Sequence, residues 1–418
     1  MINRIKEFIQ GFLSRSGSSV FAAMLSARVL AFVASWVALQ LVNEKDLGLV
    51  LYAYSFFVFL IPIGGFGLNQ SYIRFAALSK DENIKNNLFI YTLKNGLKVA
   101  LLFTSVLMFV SFWVFQNEVK MQQYFMILSF SLISFYSIDL IKNYFRVFHK
   151  NNLYAWLEIT YNIILVLMVA LLGYNFHAIG YSIAVALSPL IASLFFLPMV
   201  KLKFNSYTKP ENTSIDFWKY GFFAGLAGVA TQLLFAIDMI LLGNMLKQPE
   251  LVTHYKYVSL IPFSLLFLPS MFITADFVKL TEEIDQKHKI QHYIKNYWTL
   301  FSLVSFGVLV LAFIFPKLVL SIFMKNLEQY VLTFRILMVG VIGVLMFRGI
   351  FGNLLASIGK AHINFWIAIA TLLVNFVFNY LLIPKYGING AAITSAVVMW
   401  VSGILSYLLF TKYQKELE

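Results

Sequence analysis

The chain has 418 residues, is 60% hydrophobic and 17% aromatic, and carries only 12% Asp, Glu, Lys and Arg. Soluble domains carry about 25% charge, so a water-soluble globule is excluded, and apolar runs of roughly 20 residues, enough to cross about 30 Å of hydrocarbon, recur along the sequence. The net charge of +13 is spread over short loops, which removes nucleic acid as a partner, and the absence of cysteine removes disulfides, thiolate metal sites and thiol catalysis.

The opening MINRIKEFIQGFLSRSG does not read as a cleavable signal; Ile2, Ile5, Ile9 and Phe12 share a helical face, as an interfacial segment or an extension of the first span would have them. Twelve spans are expected, at about 19–42, 48–70, 95–116, 122–145, 153–174, 177–199, 217–243, 257–278, 296–316, 330–356, 362–383 and 388–411. With the first residue inside, about 22 Lys and Arg fall in cytoplasmic loops and about 8 outside, which places both termini in the cytoplasm. The expected class is an all-α polytopic membrane protein. No loop is long enough for a nucleotide-binding domain, and GNLLASIGKA at 352–361 lacks the spacing of a phosphate loop. The six His form no metal cluster and no Gly-x-Ser-x-Gly elbow occurs, so no catalytic residue, metal or cofactor is expected.

Span one contains SARVLAFVASWVALQLV at 26–42, with Arg28 about ten residues inside it. A central Arg facing lipid costs about 2.5 to 3.5 kcal/mol on insertion scales, so a cavity-lining role is favoured over lipid exposure, with an interhelical ion pair as the alternative. Ser35 lies on the same face. The chain uses only seven Arg, and a guanidinium binds phosphate or carboxylate bidentately where Lys cannot. Span two holds IPIGGFGLNQSYIR, in which Pro62, Gly64, Gly65 and Gly67 predict either a hinge or a fixed kink. Asp139, Lys142, Asn143 and Arg146 form a stripe on span four; with Glu158 in span five, Asp139 and Lys142 are candidates for coupling or gating, or for an interfacial ion pair.

A match between LGYNFHAIGYSIAVAL at 172–187 and IPKYGINGAAITSAVV at 383–398, shifted near 210 residues, sets Gly180 over Gly390; LGLVLYAY over LVTHYKYV gives a shift near 204. The expected organisation is therefore two six-helix bundles, 1–200 and 217–418, joined by a cytoplasmic linker at 201–216. Because six is even, the bundles are parallel repeats, with a site between them and alternating access as the mechanism. In the second half, Asp238 and Gln232 stand on span seven behind small residues that include Gly221 and Gly225. Asp276, beside Lys279 in span eight, is a further gate candidate or a local salt bridge. Arg348 in span ten is either a site or an anchor, and Thr371, Asn375 and Asn379 form a polar stripe on span eleven. The cavity candidates are thus Arg28, Ser35, Gln232, Asp238, Arg348, Asn375 and Asn379.

SARVLAF, GFGLNQSYIR, DMILLGNM and above all NFVFNYLLIPKYGINGAAIT resemble the polysaccharide transporters of the multidrug/oligosaccharidyl-lipid/polysaccharide (MOP) exporter superfamily, in particular Wzx-type flippases of lipid-linked oligosaccharides. The resemblance implies a V-shaped, MATE-like pair of bundles around a cationic cavity in the bacterial inner membrane. It implies an undecaprenyl-pyrophosphate cargo carrying a sugar repeat, membrane lipid as surroundings, and polymerase and chain-length proteins of the same pathway as partners. Arg28 matches an Arg that faces the cavity in related peptidoglycan-precursor flippases. Three rivals stand beside it: a drug or cation antiporter of the same superfamily; a membrane polymerase or ligase, which would carry a longer outer loop than this chain has; and a non-transporting membrane scaffold, which would not need buried charge or a broken span two.

Overall fold

A computed structural model describes residues 18–200, 207–208, 210, 215–269, 280, 286–358 and 360–416. The opening segment, most of the 201–216 linker and Asp276 lie outside the described residues. Helices account for nearly everything described, with no strand among these residues. In the low-dielectric core each backbone N–H and C=O must find a partner within its own segment, and the apolar runs meet that demand as helices.

In chain order the helices are α1 Ser18–Leu41, α2 Glu44–Leu60, α3 Leu68–Leu78, α4 Glu82–Val114, α5 Val119–Ser129, α6 Ser131–Val147, α7 Asn151–Phe196 and α8 Ile215–Leu246. They continue as α9 Pro249–Leu265, α10 Lys287–Phe313, α11 Pro316–Ser321, α12 Val331–Gly343, α13 Gly349–Ser357, α14 Ala361–Tyr386 and α15 Ile388–Glu416. Among the described residues, nine helical stretches are long and apolar enough to cross a bilayer, or ten when the two parts of α8 form one span. Two features account for a count below the twelve expected. The described apolar part of α1 is short, Leu25–Leu41, and α7 holds two expected spans in one run.

That run folds back on itself. His177 leaves the helical region at φ 48°, ψ −124°, and a Cβ on Gly180 would stand 1.9 Å from the carbonyl oxygen of Leu172. Residues eight apart on a straight helix are about 12 Å apart, so the chain reverses at His177. The α14–α15 junction repeats this geometry. Gly387 has φ 55°, ψ −132°, and a Cβ on Gly390 would lie 2.4 Å from the Leu382 oxygen. Leu172, His177 and Gly180 correspond to Leu382, Gly387 and Gly390 with the 210-residue shift read in the sequence.

The chain divides into two compact units, Ser19–Ala236 and Ile237–Glu418. The division falls inside α8, not at the expected 201–216, because the first part of α8 packs against α3. Ser71 Oγ donates to the Phe217 carbonyl at 2.6 Å, and Gly67, at φ +66°, brings its Cα so near α8 that a Cβ would lie 2.0 Å from the Gly221 oxygen. Only glycine tolerates both the left-handed backbone and that approach. Tyr72, Phe89, Tyr144 and Phe145 fill the core of this unit. On the outside of α4, Leu101, Leu102, Val106, Phe109, Phe112 and Trp113 are exposed, a surface that suits acyl chains and not water.

Candidate functional site

In the first unit, α1 carries Arg28 and Ser35 seven residues apart. Arg28 is exposed within an apolar helix, next to buried Ala27 and exposed Val29. Ser35 is half-buried and turns back to donate to the Ala31 carbonyl at 3.1 Å.

The span-four stripe separates into three fates. Lys142 Nζ lies 2.6 Å from Glu158 Oε2 and 3.8 Å from Asp139 Oδ1, which ties α6 to α7 through one cation and two carboxylates. Asn143 is buried and donates to the Asn69 carbonyl at 3.1 Å, joining α6 to α3. Arg146 is exposed. Glu158 meets the stripe as one of its expected alternatives had it. The lysine holds the surplus acid, so the triad carries one net negative charge when both carboxylates are ionised.

Pro62 opens a 3₁₀ turn at Ile61–Ile63, and Gly64, Gly65, Phe66 and Gly67 continue the break before α3 resumes at Leu68. Phe66 has φ 58° and Gly67 has φ 66°. The break is packed on α8 through Gly67 and Gly221, so it is a docking point for another helix as well as an interruption.

In the second unit the buried carboxylate of Asp238, 1% exposed, gathers the polar residues of three other helices. Tyr255 of α9 donates to Oδ2 at 2.7 Å, Ser395 of α15 donates to the same oxygen, and Asn379 Nδ2 of α14 donates to Oδ1 at 2.8 Å. The same Asn379 nitrogen reaches Asn375 Oδ1 at 2.7 Å, and Asn379 Oδ1 is a buried acceptor with no hydrogen-bond donor. Among the described residues no ion pair reaches Asp238. A carboxylate held only by neutral donors keeps its charge uncompensated, and its surplus oxygen acceptors suit a proton or a small hard cation.

Of the sequence candidates, the fold brings Asp238, Asn375 and Asn379 together. Thr371, from the same stripe, instead donates to the Ile367 carbonyl at 2.8 Å. Gln232 is exposed on the part of α8 that belongs to the first unit. Arg348 belongs to the second unit and reaches Asn364 and Ser406, not Asp238. Tyr255 and Ser395 were not singled out from the sequence. Their signal was available in part, since Ser395 lies in the matched stretch 383–398 and Tyr255 in the segment LVTHYKYV.

A family model described as polysaccharide biosynthesis protein matches residues 13–258. The capsular polysaccharide biosynthesis protein CapF of Staphylococcus aureus is 32% identical over 107 residues, which cover 25% of this chain and 26% of that protein. The lipid II flippase MurJ in an inward closed conformation has a TM-score of 0.74 at 14% identity, covering 94% of this chain and 87% of that one. An inward-facing multidrug resistance MATE transporter of the MOP superfamily has a TM-score of 0.71 at 15% identity, covering 93% and 95%. A MOP superfamily transporter from Pyrococcus furiosus has 0.71 at 14% identity, covering 97% and 96%. At these identities the solved structures speak for the fold alone.

Proposed function

This chain belongs to the polysaccharide biosynthesis protein family and has the fold of MOP superfamily transporters, and on that premise we propose that it flips undecaprenyl-pyrophosphate-linked oligosaccharide repeats from the inner to the outer leaflet of the bacterial cytoplasmic membrane. The repeats would serve O-antigen, capsule or exopolysaccharide assembly. The observation that carries this reading is the exposed Arg28 within the apolar helix α1. Moving a diphosphate and a hydrated glycan through hydrocarbon needs a counter-charge and a replacement for hydration, and a guanidinium supplies bidentate bonds to phosphate oxygens. The prenyl tail stays in lipid while the head group passes.

Asp238 supports the energetic half of the reading. A proton or monovalent cation that binds there neutralises the carboxylate, and so favours whichever conformation presents that cluster. Alternating access then follows from a ligand that binds one conformation better than the other.

The test is a deletion of the gene complemented with variants. Loss of the protein should trap a prenyl-diphosphate glycan on the inner leaflet. Arg28→Ala should insert normally and restore no export, while Arg28→Lys should restore part of it. Full rescue by Arg28→Ala would remove the proposed role of Arg28. Accumulation of a cationic dye in place of the lipid would favour the antiporter reading, to which Asp238 also lends itself.

A further inference from the structure

Arg348 ends a π-helical turn, Val344–Arg348, between α12 and α13. A π turn leaves carbonyls without their usual helical partners, and here α10 supplies the replacements. Tyr297 OH donates to the Leu345 carbonyl at 2.9 Å, and Trp298 Nε1 donates to that of Met346 at 2.8 Å. The widened turn is thus built into the bundle by two aromatic donors from a neighbouring helix.

The guanidinium at its end is held by one nitrogen. Arg348 Nη1 donates to Asn364 Oδ1 of α14 at 2.9 Å and to Ser406 Oγ of α15 at 2.6 Å. Both acceptors are themselves committed, since Asn364 Nδ2 donates to the Gly352 carbonyl at 2.6 Å and Ser406 Oγ donates to that of Ser402 at 2.8 Å. Two bonds use both hydrogens of Nη1. Among the described residues, no carboxylate pairs with Arg348, and Nε and Nη2 carry no hydrogen bond. The unused donors lie on one edge of the plane, the edge that meets two oxygens of a phosphate side by side. Arg348 stands nine residues before the end of α13, about 13 Å along the axis, too deep for a cation without a counter-ion to be a mere surface anchor.

We propose that the Nε–Nη2 edge of Arg348 is an oxyanion site for the phosphoryl group of a lipid, positioned by the π turn and by the Asn364–Ser406 clamp. This deepens the transport reading and rests on it for the identity of the cargo. The phosphoryl group is either the diphosphate of a prenyl-linked cargo or the phosphodiester of a bilayer lipid, and both present the same paired oxygens. Arg348 belongs to the second unit.

The full chain, purified in detergent and in nanodiscs, is probed for binding by ligand-induced thermal stabilisation. Farnesyl diphosphate stands for the cargo, farnesol for its tail, pyrophosphate for the free anion, and phosphatidylglycerol against phosphatidylcholine for the bilayer source. Farnesyl diphosphate should stabilise the wild type where farnesol does not. Arg348→Gln should weaken that binding roughly 10- to 100-fold, as loss of a charge-assisted pair does. Arg348→Lys, which keeps the charge but not the edge, should fold and show an intermediate loss, and it serves if the Gln variant does not fold. Stabilisation by phosphatidylglycerol that vanishes in both variants would also support the site and would assign it to bilayer lipid. Equal binding by wild type and Arg348→Lys would overturn the proposal while leaving the flippase reading intact. Absence of any phosphate-dependent stabilisation would overturn it too, and trapping of the lipid-linked glycan in the deletion strain tests the transport reading independently.

Discussion

Asp238 concentrates the chemistry of the second unit in one side chain. Three neutral donors converge on it, and the bond each makes to the carboxylate is lost if that group is removed. Asp238→Leu should therefore cost about 1 to 3 kcal/mol per lost bond and compromise folding. Asp238→Asn keeps the shape and one acceptor, so it should fold, with a loss of about 1 to 3 kcal/mol, yet abolish the response of transport to an imposed proton or sodium gradient. Vesicle transport with each gradient, beside thermal unfolding, separates the two effects; a gradient response that survives in Asp238→Asn would move the coupling elsewhere. The Lys142 triad is the next place to look, because its second carboxylate exceeds the charge of its single lysine. At this scale the sequence marked Asp238, Asn375 and Asn379 by their polarity inside apolar runs. It could not say that Thr371, of the same stripe, bonds its own helix, since a hydroxyl reaches a backbone carbonyl one turn back wherever tertiary partners are missing.

At the scale of elements, the two reversal turns are the clearest structural signature. A side chain at Gly180 or Gly390 meets a carbonyl oxygen eight residues earlier at 1.9 and 2.4 Å, so neither turn closes with a Cβ in place. Gly180→Ala and Gly390→Ala should each destabilise the protein by about 1 to 3 kcal/mol, in the range of strain at special backbone positions, and by similar amounts. Thermal unfolding of the two purified variants measures this; a large cost at one position and none at the other would break the equivalence of the turns. The interrupted span two was legible from Pro62 and its glycines, but not what the break meets. Gly67 faces Gly221, 154 residues further on, and residues so distant in sequence leave no local pattern to read. The π turn at Val344–Arg348 was not legible at all, because the donors that meet its carbonyls stand on α10, far away in sequence.

For the whole molecule, the loop charges carry a prediction that the helices do not. The bias of Lys and Arg towards alternate loops predicts that both termini lie in the cytoplasm. Alkaline phosphatase and fluorescent-protein fusions should report residues 1 and 418 inside, the 201–216 loop inside, and the His177 and Gly387 turns outside. Both termini reported outside would invert the orientation and the proposed direction of transport, and one terminus outside would break the even span count on which the parallel repeats rest. The expected boundary at 201–216 and the observed division at Ala236–Ile237 differ by the first part of α8. The linker is where the chain is polar, whereas the unit boundary is where packing changes partners.

By itself the sequence determined the medium, the helical class and the internal repeat. These follow from hydropathy summed over windows of about 20 residues and from a shift near 210, neither of which depends on where helices lie in space. Tertiary structure decided which polar groups meet. Tyr255, Ser395 and Asn379 come from three helices to one carboxylate, and Asn364 and Ser406 from two helices to one guanidinium nitrogen. Hydrogen bonds form over about 3 Å, a distance set by packing between helices and not by spacing along the chain.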